Sequence, residues 1–312
     1  MSPMPRHALC LAWNWEYDAG FARLLEAACA RRGLSLLQVT PENLDCVLAG
    51  LANDEITFGA LLDRASDSEP RFQPLADWAA RQAAFCINPQ ERARWSGDKA
   101  TMHLEFASRG IQTPHAIILA PFDEQPSLPP PDLSALGGSF AIKPAAGGGG
   151  WGVTLEAVSW DQVQRARQEY PAEKMLLQAH VTPRTLGTRP GWFRLLYCDG
   201  AVYPCWWDPQ THVYARVTAE ESARYGLRSL RETSRRIAGA AGLHLFSTEV
   251  AATEDGRFLV VDYVNDPLDL RPRSQAVDGV PDPILENIAG RLARLAASHR
   301  SDIQSGAEAS SG

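Results

Sequence analysis

The stretch KPAAGGGGWGV, residues 143–153, constrains the fold more than any other part of the sequence. It places five glycines in the six positions from Gly147 to Gly152. Glycine loses more conformational entropy on folding than other residues, so such a run is typical of backbone that must approach a ligand closely. The ligand that a series of backbone N–H groups can hold is an anion, and a phosphate is the leading candidate.

Two known phosphate-binding motifs match part of this stretch. Gly147, Gly149 and Gly152 spell the dinucleotide fingerprint G-x-G-x-x-G, but that motif must open a helix. The segment VTLEAV that follows alternates apolar and polar residues and predicts a strand instead. A P-loop would need lysine where the sequence has Val153. The sequence therefore predicts a glycine flap between two strands, with Lys143 on the entering strand FAIKP as a point charge beneath it.

Composition narrows the class of protein. The 312 residues are 45% apolar, which is enough for a sizeable core in two or three packed units. The net charge of −7, without a basic block, disfavours nucleic acid or an anionic membrane as a partner. Six single cysteines without C-x-x-C spacing favour reduced thiols and a cytoplasmic location. The start MSPMPRHALCLAW lacks the long apolar core of a signal peptide, and the sequence contains no run of eighteen apolar residues. The sequence therefore predicts neither export nor membrane spanning.

The order of the predicted elements indicates a mixed α/β protein. HALCLAW and LSLLQV predict strands with a helix between them, which is the opening of a parallel α/β layer. Further helices are predicted at 41–52, 75–85 and 219–241. LHLFSTEVAAT and RFLVVDYV flank the turn EDG and predict a β-hairpin. A last helix begins after Asp282, and residues 300–312 are predicted to be a disordered tail.

Five segments, in this order, resemble the ATP-grasp superfamily and especially its glutathione-synthetase-like carboxylate–amine ligases. They are CINPQERARWSGDKATMHLEFASRGIQTP, FAIKPAAGGGGWGV, MLLQAHV, FRLLYCDGAV and STEVAATEDGRFLVVDYVN. The resemblance spans residues 7–298 and implies the ATP-grasp fold, in which a Rossmann-like parallel-sheet domain precedes two α+β subdomains that hold ATP between them. The implied domains are 1–95, 96–176 with the glycine flap, and 177–299 with the metal hairpin.

The resemblance also implies an enzyme that uses ATP and Mg²⁺. It would transfer the γ-phosphoryl group to a carboxylate, and an amine would then displace phosphate from the resulting acyl phosphate. Two alternatives remain open: a small-molecule kinase of the same fold, and a non-catalytic nucleotide-binding module. The expected partners are small carboxylates and amines, and a homodimer is expected only because relatives form one.

Nucleotide-binding and catalytic roles carry over to named positions. Lys143 and Arg194 are the implied catalytic cations, and Lys99 and Lys143 would contact the phosphates. Lys99 could instead be a solvated surface residue, and Arg194 could serve a structural salt bridge. Gln178 would lie beside the adenine, unless it is an exposed residue at a strand end. The other implied nucleotide-binding positions are Gly147, Gly148, Gly149, Gly150, Trp151, Gly152, Ala179 and Val181.

The implied magnesium ligands are Glu249, Asp262 and Asn265. Mg²⁺ takes oxygen ligands and usually one or two carboxylates from the protein. The family's second hairpin strand ends in Glu-x-Asn, whereas Asn265 follows Asp262 by three positions and would point to the opposite face of a regular strand. Three alternatives remain open: a bulge restores the pair, Asp266 joins the metal, or one ligand fewer is used. Asn265 could also be a satisfied turn residue.

Polar residues at two loops are the candidates for substrate recognition. Arg271 and Arg273, in DPLDLRPRSQAVDGVP, could clamp a substrate carboxylate, although arginines in polar loops are often solvated. Asn14 follows the first strand, at the edge where open α/β sheets bind ligands.

Overall fold

The computed structural model describes the backbone of residues 6–309 and the side chains of residues 6–299. Its first sheet is parallel, with strand order β2-β1-β3-β4. The strands are β1 (Arg6–Trp13), β2 (Leu36–Val39), β3 (Thr57–Arg64) and β4 (Phe85–Ile87), and the connecting helices are α1 (Ala19–Ala30), α2 (Leu44–Ala52) and α3 (Gln73–Arg81). Leu9 and Leu11 pack on one face of β1 and Cys10 on the other, which explains its unbroken apolar run.

A second, smaller sheet carries the glycine flap. Helices α4 (Gln90–Gly97) and α5 (Lys99–Ser108) lead to it, and its strands pair antiparallel in the order β5-β8-β6-β7. They are β5 (Ala116–Leu119), β6 (Phe140–Pro144), β7 (Thr154–Ala157) and β8 (Met175–Ala179), and α6 (Trp160–Glu169) packs on them. The flap is residues 145–153, and the domain boundary predicted at 177 falls within β8.

The third sheet is antiparallel and carries the acidic hairpin. After a short ribbon, β9 (Thr185–Leu186) and β10 (Arg189–Pro190), its strand order is β13-β12-β11-β14-β15. The strands are β11 (Trp192–Cys198), β12 (Ala201–Trp207), β13 (Tyr214–Arg216), β14 (Leu245–Ala252) and β15 (Phe258–Asn265). Helices α7 (Ala219–Arg224) and α8 (Arg228–Ala241) lie between β13 and β14, and α9 (Asp282–Ala309) follows β15.

Both faces of the third sheet are covered. Phe193, Leu195 and Trp206 pack towards α5 and α8, whereas Leu196 and Trp207 pack towards the first sheet and α9. The alternation follows from the two-residue period of a strand. Because the third sheet packs against the first sheet on one face and against α8 on the other, the hairpin of β14 and β15 at its edge is held in position.

Three predictions from the sequence need correction. The helix predicted at 75–85 ends at Arg81, because Ala83 has φ of 53° and Phe85 begins β4. The helix predicted at 219–241 is divided into α7 and α8 around Gly226, whose φ is 69°. The tail predicted to be disordered is helical as far as Ala309, while residues 310–312 lie outside the described part.

Two further expectations concern the environment of the chain. Across residues 6–309, no helix combines the length and the apolar character needed to cross a bilayer. All six cysteines lie in the described part and are unpaired, as the spacing predicted, and four of them are buried.

Candidate active site

The hairpin of β14 and β15 brings two carboxylates together. Glu249 pairs with Asp262 across the strands, so both side chains leave the same face of the sheet. Asn265 donates from Nδ2 to Oδ2 of Asp262 over 2.9 Å. Glu249, Asp262 and the amide of Asn265 therefore form one polar cluster. Between residues 6 and 299, no group of three or more histidine, cysteine or acidic side chains could hold a metal ion.

A β-bulge in β15 is what brings Asn265 to this face. Ser247 pairs with Asn265 and Glu249 pairs with Asp262, so two residues on β14 match three on β15. The extra residue reverses the facing of the side chains that follow it. Of the alternatives that the sequence left open, the structure contains the bulge.

Asp266, the alternative ligand, faces the N-terminal sheet. Burial raises the pKa of its carboxyl to about 6, and the Asn88 amide and the Arg64 charge oppose this rise. Asp63 and Asp67 add to it through like-charge repulsion. All four neighbours lie on loops or strand ends of the first sheet, so the structure groups Asp266 with them and not with the carboxylate pair.

Arg194 on β11 is the cation closest to Glu249. Its Nη1 donates to Oε1 of Glu249 over 3.0 Å, and its Nε and Nη2 each lie 3.2 Å from Oγ of Ser247. Trp192 donates to the other oxygen of Glu249 over 3.2 Å, and the guanidinium lies 4.9 Å from the ring centroid of Trp207. Burial raises the pKa of Glu249, and Arg194 opposes this rise. Arg194 therefore makes a salt bridge, and it does so inside the predicted site.

Lys143 lies in β6, a strand of the second sheet, and points towards the hairpin. Its Nζ donates to Oε1 of Gln178 over 2.7 Å and to the carbonyl of Val261 over 3.2 Å. Burial lowers its pKa, and the charges of Asp262 and Glu249 oppose that change. Although burial acts to raise the pKa of Asp262, Lys143 helps to hold it below its ordinary value. The side chain is half-buried, and the low dielectric around its ammonium strengthens the attraction for any negative charge that comes close.

Lys99 joins the start of α5 to the flap. Its backbone N–H donates to the carbonyl of Ala145 over 2.8 Å, and its ammonium donates to the carbonyl of Gly147. Burial lowers its pKa, and the charge of Asp262 opposes this change. Lys99 is therefore half-buried beside the flap and is not a freely solvated surface residue.

Gln178, at the end of β8, is buried with 2% of its surface exposed, so it is not an exposed strand-end residue. Its Nε2 donates to the carbonyl of Val261 and to the hydroxyl of Tyr263, each over 3.2 Å. The same hydroxyl lies 2.8 Å from Nδ1 of His103. These bonds connect β8, the Lys143 ammonium and the acidic hairpin. No pattern in the sequence indicated this network, because Tyr263 lies within the bulge.

The backbone of the predicted adenine hinge is only partly free. The N–H of Ala179 donates to the carbonyl of His115 over 2.9 Å, so this donor is already used. Val181 lies just beyond β8, outside the sheet. The hinge donors available to a ligand are therefore those that follow the strand.

The glycine flap has the predicted strand–loop–strand form. Trp151, at its tip, is 53% exposed, and its ring lies 4.4 Å from that of Tyr170 in an edge-on contact. Gly152 has φ of 66°, and a Cβ there would lie 2.6 Å from Pro144 and 3.0 Å from Tyr170. At Gly148 a Cβ would meet no atom within 4 Å. The end of the flap thus requires glycine, whereas its middle is open.

The predicted substrate residues do not converge. Arg271 donates from Nε and Nη2 to Asp269 over 2.9 and 2.7 Å, and from Nη2 to Asp278 over 2.8 Å. Arg273 donates to a backbone carbonyl of β13, and Asn14 donates to a serine hydroxyl after β3 over 3.1 Å. A clamp of Arg271 and Arg273 on one substrate carboxylate is therefore not formed in this structure.

Comparison with known proteins identifies the architecture. No family model and no curated protein matches the chain. D-alanine–D-alanine ligase from Bacillus anthracis, complexed with ATP, matches it with a TM-score of 0.67 and 12% identity over 96% of this chain and 99% of that one. The chain has the ATP-grasp fold.

Two further ATP-grasp structures agree with this assignment. The RimK domain ATP-grasp protein from Sphaerobacter thermophilus gives a TM-score of 0.61 and 21% identity over 92% of this chain and 98% of that one. The ATP-grasp ligase PsnB, complexed with a minimal precursor, Mg and ADP, gives a TM-score of 0.58 and 14% identity over 94% of this chain and 98% of that one. The predicted fold class, an N-terminal parallel sheet followed by the ATP-grasp sheets, is confirmed.

Proposed function

We propose that this protein is an ATP-dependent ligase that activates a carboxylate as an acyl phosphate and joins it to an amine. The observation that carries the proposal is the half-buried pair of Glu249 and Asp262, which three cations surround: Lys99, Lys143 and Arg194. Phosphoryl transfer depends mainly on positioning and on neutralising the charge of the phosphates, and this cluster offers both.

The donor set of the hairpin fits Mg²⁺. Glu249, Asp262 and Asn265 present only oxygen ligands if the Asn265 amide, whose nitrogen faces Asp262, offers its oxygen. Neither sulfur nor imidazole belongs to the set, which argues against zinc. We propose that these three residues hold the ion, which would neutralise charge on the β- and γ-phosphates.

The cations of the chain have separate roles in the first step. Lys143 would bind the phosphates from the β6 strand, and Lys99 would exchange the carbonyl of Gly147 for a phosphate oxygen. A carboxylate oxygen then bonds to the γ-phosphorus while the bond to the bridging oxygen of ADP breaks. Arg194, which contacts Glu249, would stabilise the charge on the transferring group.

The flap serves the second step. With residues 145–153 closed over the phosphates, water is excluded from an intermediate that it would hydrolyse. The amine attacks the acyl carbon, the bond to phosphate breaks with its electron pair on the phosphate, and the nitrogen loses a proton to form the amide. We place the reaction in the cytosol, since six unpaired cysteines suit a reducing compartment.

Trapping with hydroxylamine tests this function. The protein is incubated with ATP, Mg²⁺, hydroxylamine and pools of carboxylic acids, and both ADP and hydroxamate are measured. A ligase gives both products, because hydroxylamine replaces the amine. A kinase gives ADP without hydroxamate when a hydroxyl compound is supplied, and a binding module gives neither. Either of these last results would refute the ligase.

A further inference from the structure

A second polar cavity lies apart from the candidate active site. It is a groove of about 720 Å³ between α7, α8 and the edge strand β13. Four arginines line it, together with a single acid, Glu232. These arginines are Arg216, Arg228, Arg231 and Arg235. The metal hairpin, the flap and the hinge contribute no residue to its walls, so the groove is a separate site.

The four arginines lack acidic partners. Between residues 6 and 299, none of them lies within 4.0 Å of a carboxylate, whereas Arg64 and Arg271 do make such pairs. The chain as a whole has a net charge of −7, so a basic composition does not explain the cluster. Four like charges around one cavity repel each other unless an anion joins them.

Two of the guanidinium groups, both on exposed side chains, donate to backbone carbonyls. Arg231 donates from Nη1 to the carbonyl of Val202, and Arg235 donates from Nε to the carbonyl of Gly200 over 3.4 Å. Burial lowers the pKa of Arg231, and the charges of Arg235 and Arg216 lower it further. Each of the two guanidiniums keeps further N–H groups for a ligand, so binding an anion there costs less side-chain entropy.

The spacing on α8 defines the ligand further. Positions 228, 231 and 235 follow an i, i+3, i+7 pattern, which places them on one helix face over about 10 Å. A cavity of this size suits a small molecule. The walls hold no aromatic side chain, and their apolar part is Val217 and two alanines. They therefore offer neither stacking surfaces for bases nor deep pockets for the apolar side chains of a peptide.

We propose that this groove binds a small molecule that carries a chain of phosphate groups. Arginine forks pair with phosphate oxygens in a bidentate manner, and a row of them along a helix matches successive phosphates. The site is independent of the ligase reaction, because it uses none of the residues that we assign to that reaction.

Calorimetric titration with tripolyphosphate, in magnesium-free buffer, tests the proposal on the full chain. We expect one groove site per chain, whose affinity falls at least 30-fold in the variant R228Q/R231Q/R235Q and weakens as sodium chloride is raised. The matched control R23Q/R31Q/R32Q removes the same charge from α1 and the turn after it, and it should bind as the wild type does. Binding of tripolyphosphate to Lys99 and Lys143 would be the same in both variants. A failure of this proposal can therefore be told apart from a failure of the proposed ligase function.

Hydrogen exchange of the wild-type protein provides a second readout that needs no variant. Tripolyphosphate should slow exchange in residues 216–235. Unchanged exchange there, or equal affinity of the wild type and R228Q/R231Q/R235Q, would overturn the proposal. A preference for oligoglutamate or for single-stranded RNA over tripolyphosphate would also overturn it, since the groove would then serve a macromolecule.

Discussion

Asn265 lies beside Asp262 because β15 holds one residue more than β14 between their paired positions. The sequence identified Glu249, Asp262 and Asn265 but could not decide among a bulge, a contribution from Asp266 and a smaller ligand set. Alternation of side chains is a rule about regular strands, and a bulge breaks it without a sequence signature of its own. The carboxylates were predictable, whereas their geometry required the register of the hairpin.

Replacing Asp262 tests the proposed metal site. Asp262→Asn keeps the shape of the side chain and its bond with Asn265 but removes one of the two carboxylate charges. We expect the rate of ADP release at saturating ATP to fall by about 100-fold or more, the usual effect of losing a group that stabilises transferred charge. Asp255→Asn, in the exposed turn of the same hairpin, is the control and should leave the rate unchanged. Wild-type activity of Asp262→Asn would exclude Asp262 as a ligand.

The hydroxyl of Tyr263 contacts Gln178 and His103, so we expect this residue to act by positioning its neighbours. Tyr263→Phe removes the hydroxyl that bonds with Gln178 and His103, so we expect a loss of about 1 kcal/mol in the free energy of unfolding. A purely structural role would stop there. A positioning role also raises the Mg²⁺ concentration needed for half-maximal ADP release, because the bulge residue next to Asp262 is then less fixed. Tyr197→Phe is the control and should leave the magnesium requirement unchanged. An equal magnesium requirement in the wild type and in Tyr263→Phe would show that Tyr263 has a structural role only.

At the level of elements, the sequence was most informative where its pattern changed. Alternation after the glycine run predicted the strand β7 and correctly excluded a helix there. The break between α7 and α8 was missed, because the apolar positions that predicted the helix, Leu227, Leu230 and Ile237, all follow Gly226, and α7 buries none of its residues. Periodicity reports which face is buried, and it does not report a local change of backbone direction.

The flap offers a comparison between two glycines of the same element. Gly152→Ala places a methyl group against Pro144 and Tyr170 at a positive φ, so the flap must shift to accommodate it. We expect the KM for ATP to rise roughly tenfold, which corresponds to about 1.4 kcal/mol. Gly148→Ala meets no neighbour and should change the KM by less than about threefold. Similar KM values for the two variants would show that the contact of Gly152 does not set the flap position.

In the whole molecule, a few buried polar contacts join the N-terminal sheet to the hairpin sheet, in addition to the apolar core that the two sheets share. Asn88, after β4, accepts from the backbone of His244 and Leu245 over 2.7 and 3.0 Å at the start of β14. Arg64, at the end of β3, donates to the carbonyl of Leu268 over 3.0 Å, just after β15. No pattern in the sequence indicated these contacts, because they join segments that are more than 150 positions apart.

The pair of Arg64 and Asp18 orients the guanidinium that donates to Leu268. Arg64 donates from Nε and Nη2 to both oxygens of Asp18, and each side chain is 4% exposed. Asp18→Asn leaves a buried guanidinium without its main counter-charge, so we expect the free energy of unfolding in urea to fall by about 3 kcal/mol. The exposed pair of Arg71 and Asp45 supplies the control, since Asp45→Asn should cost less than about 1 kcal/mol. Equal losses in the two variants would mean that burial does not strengthen the Arg64 contact, and that other residues hold the two sheets together.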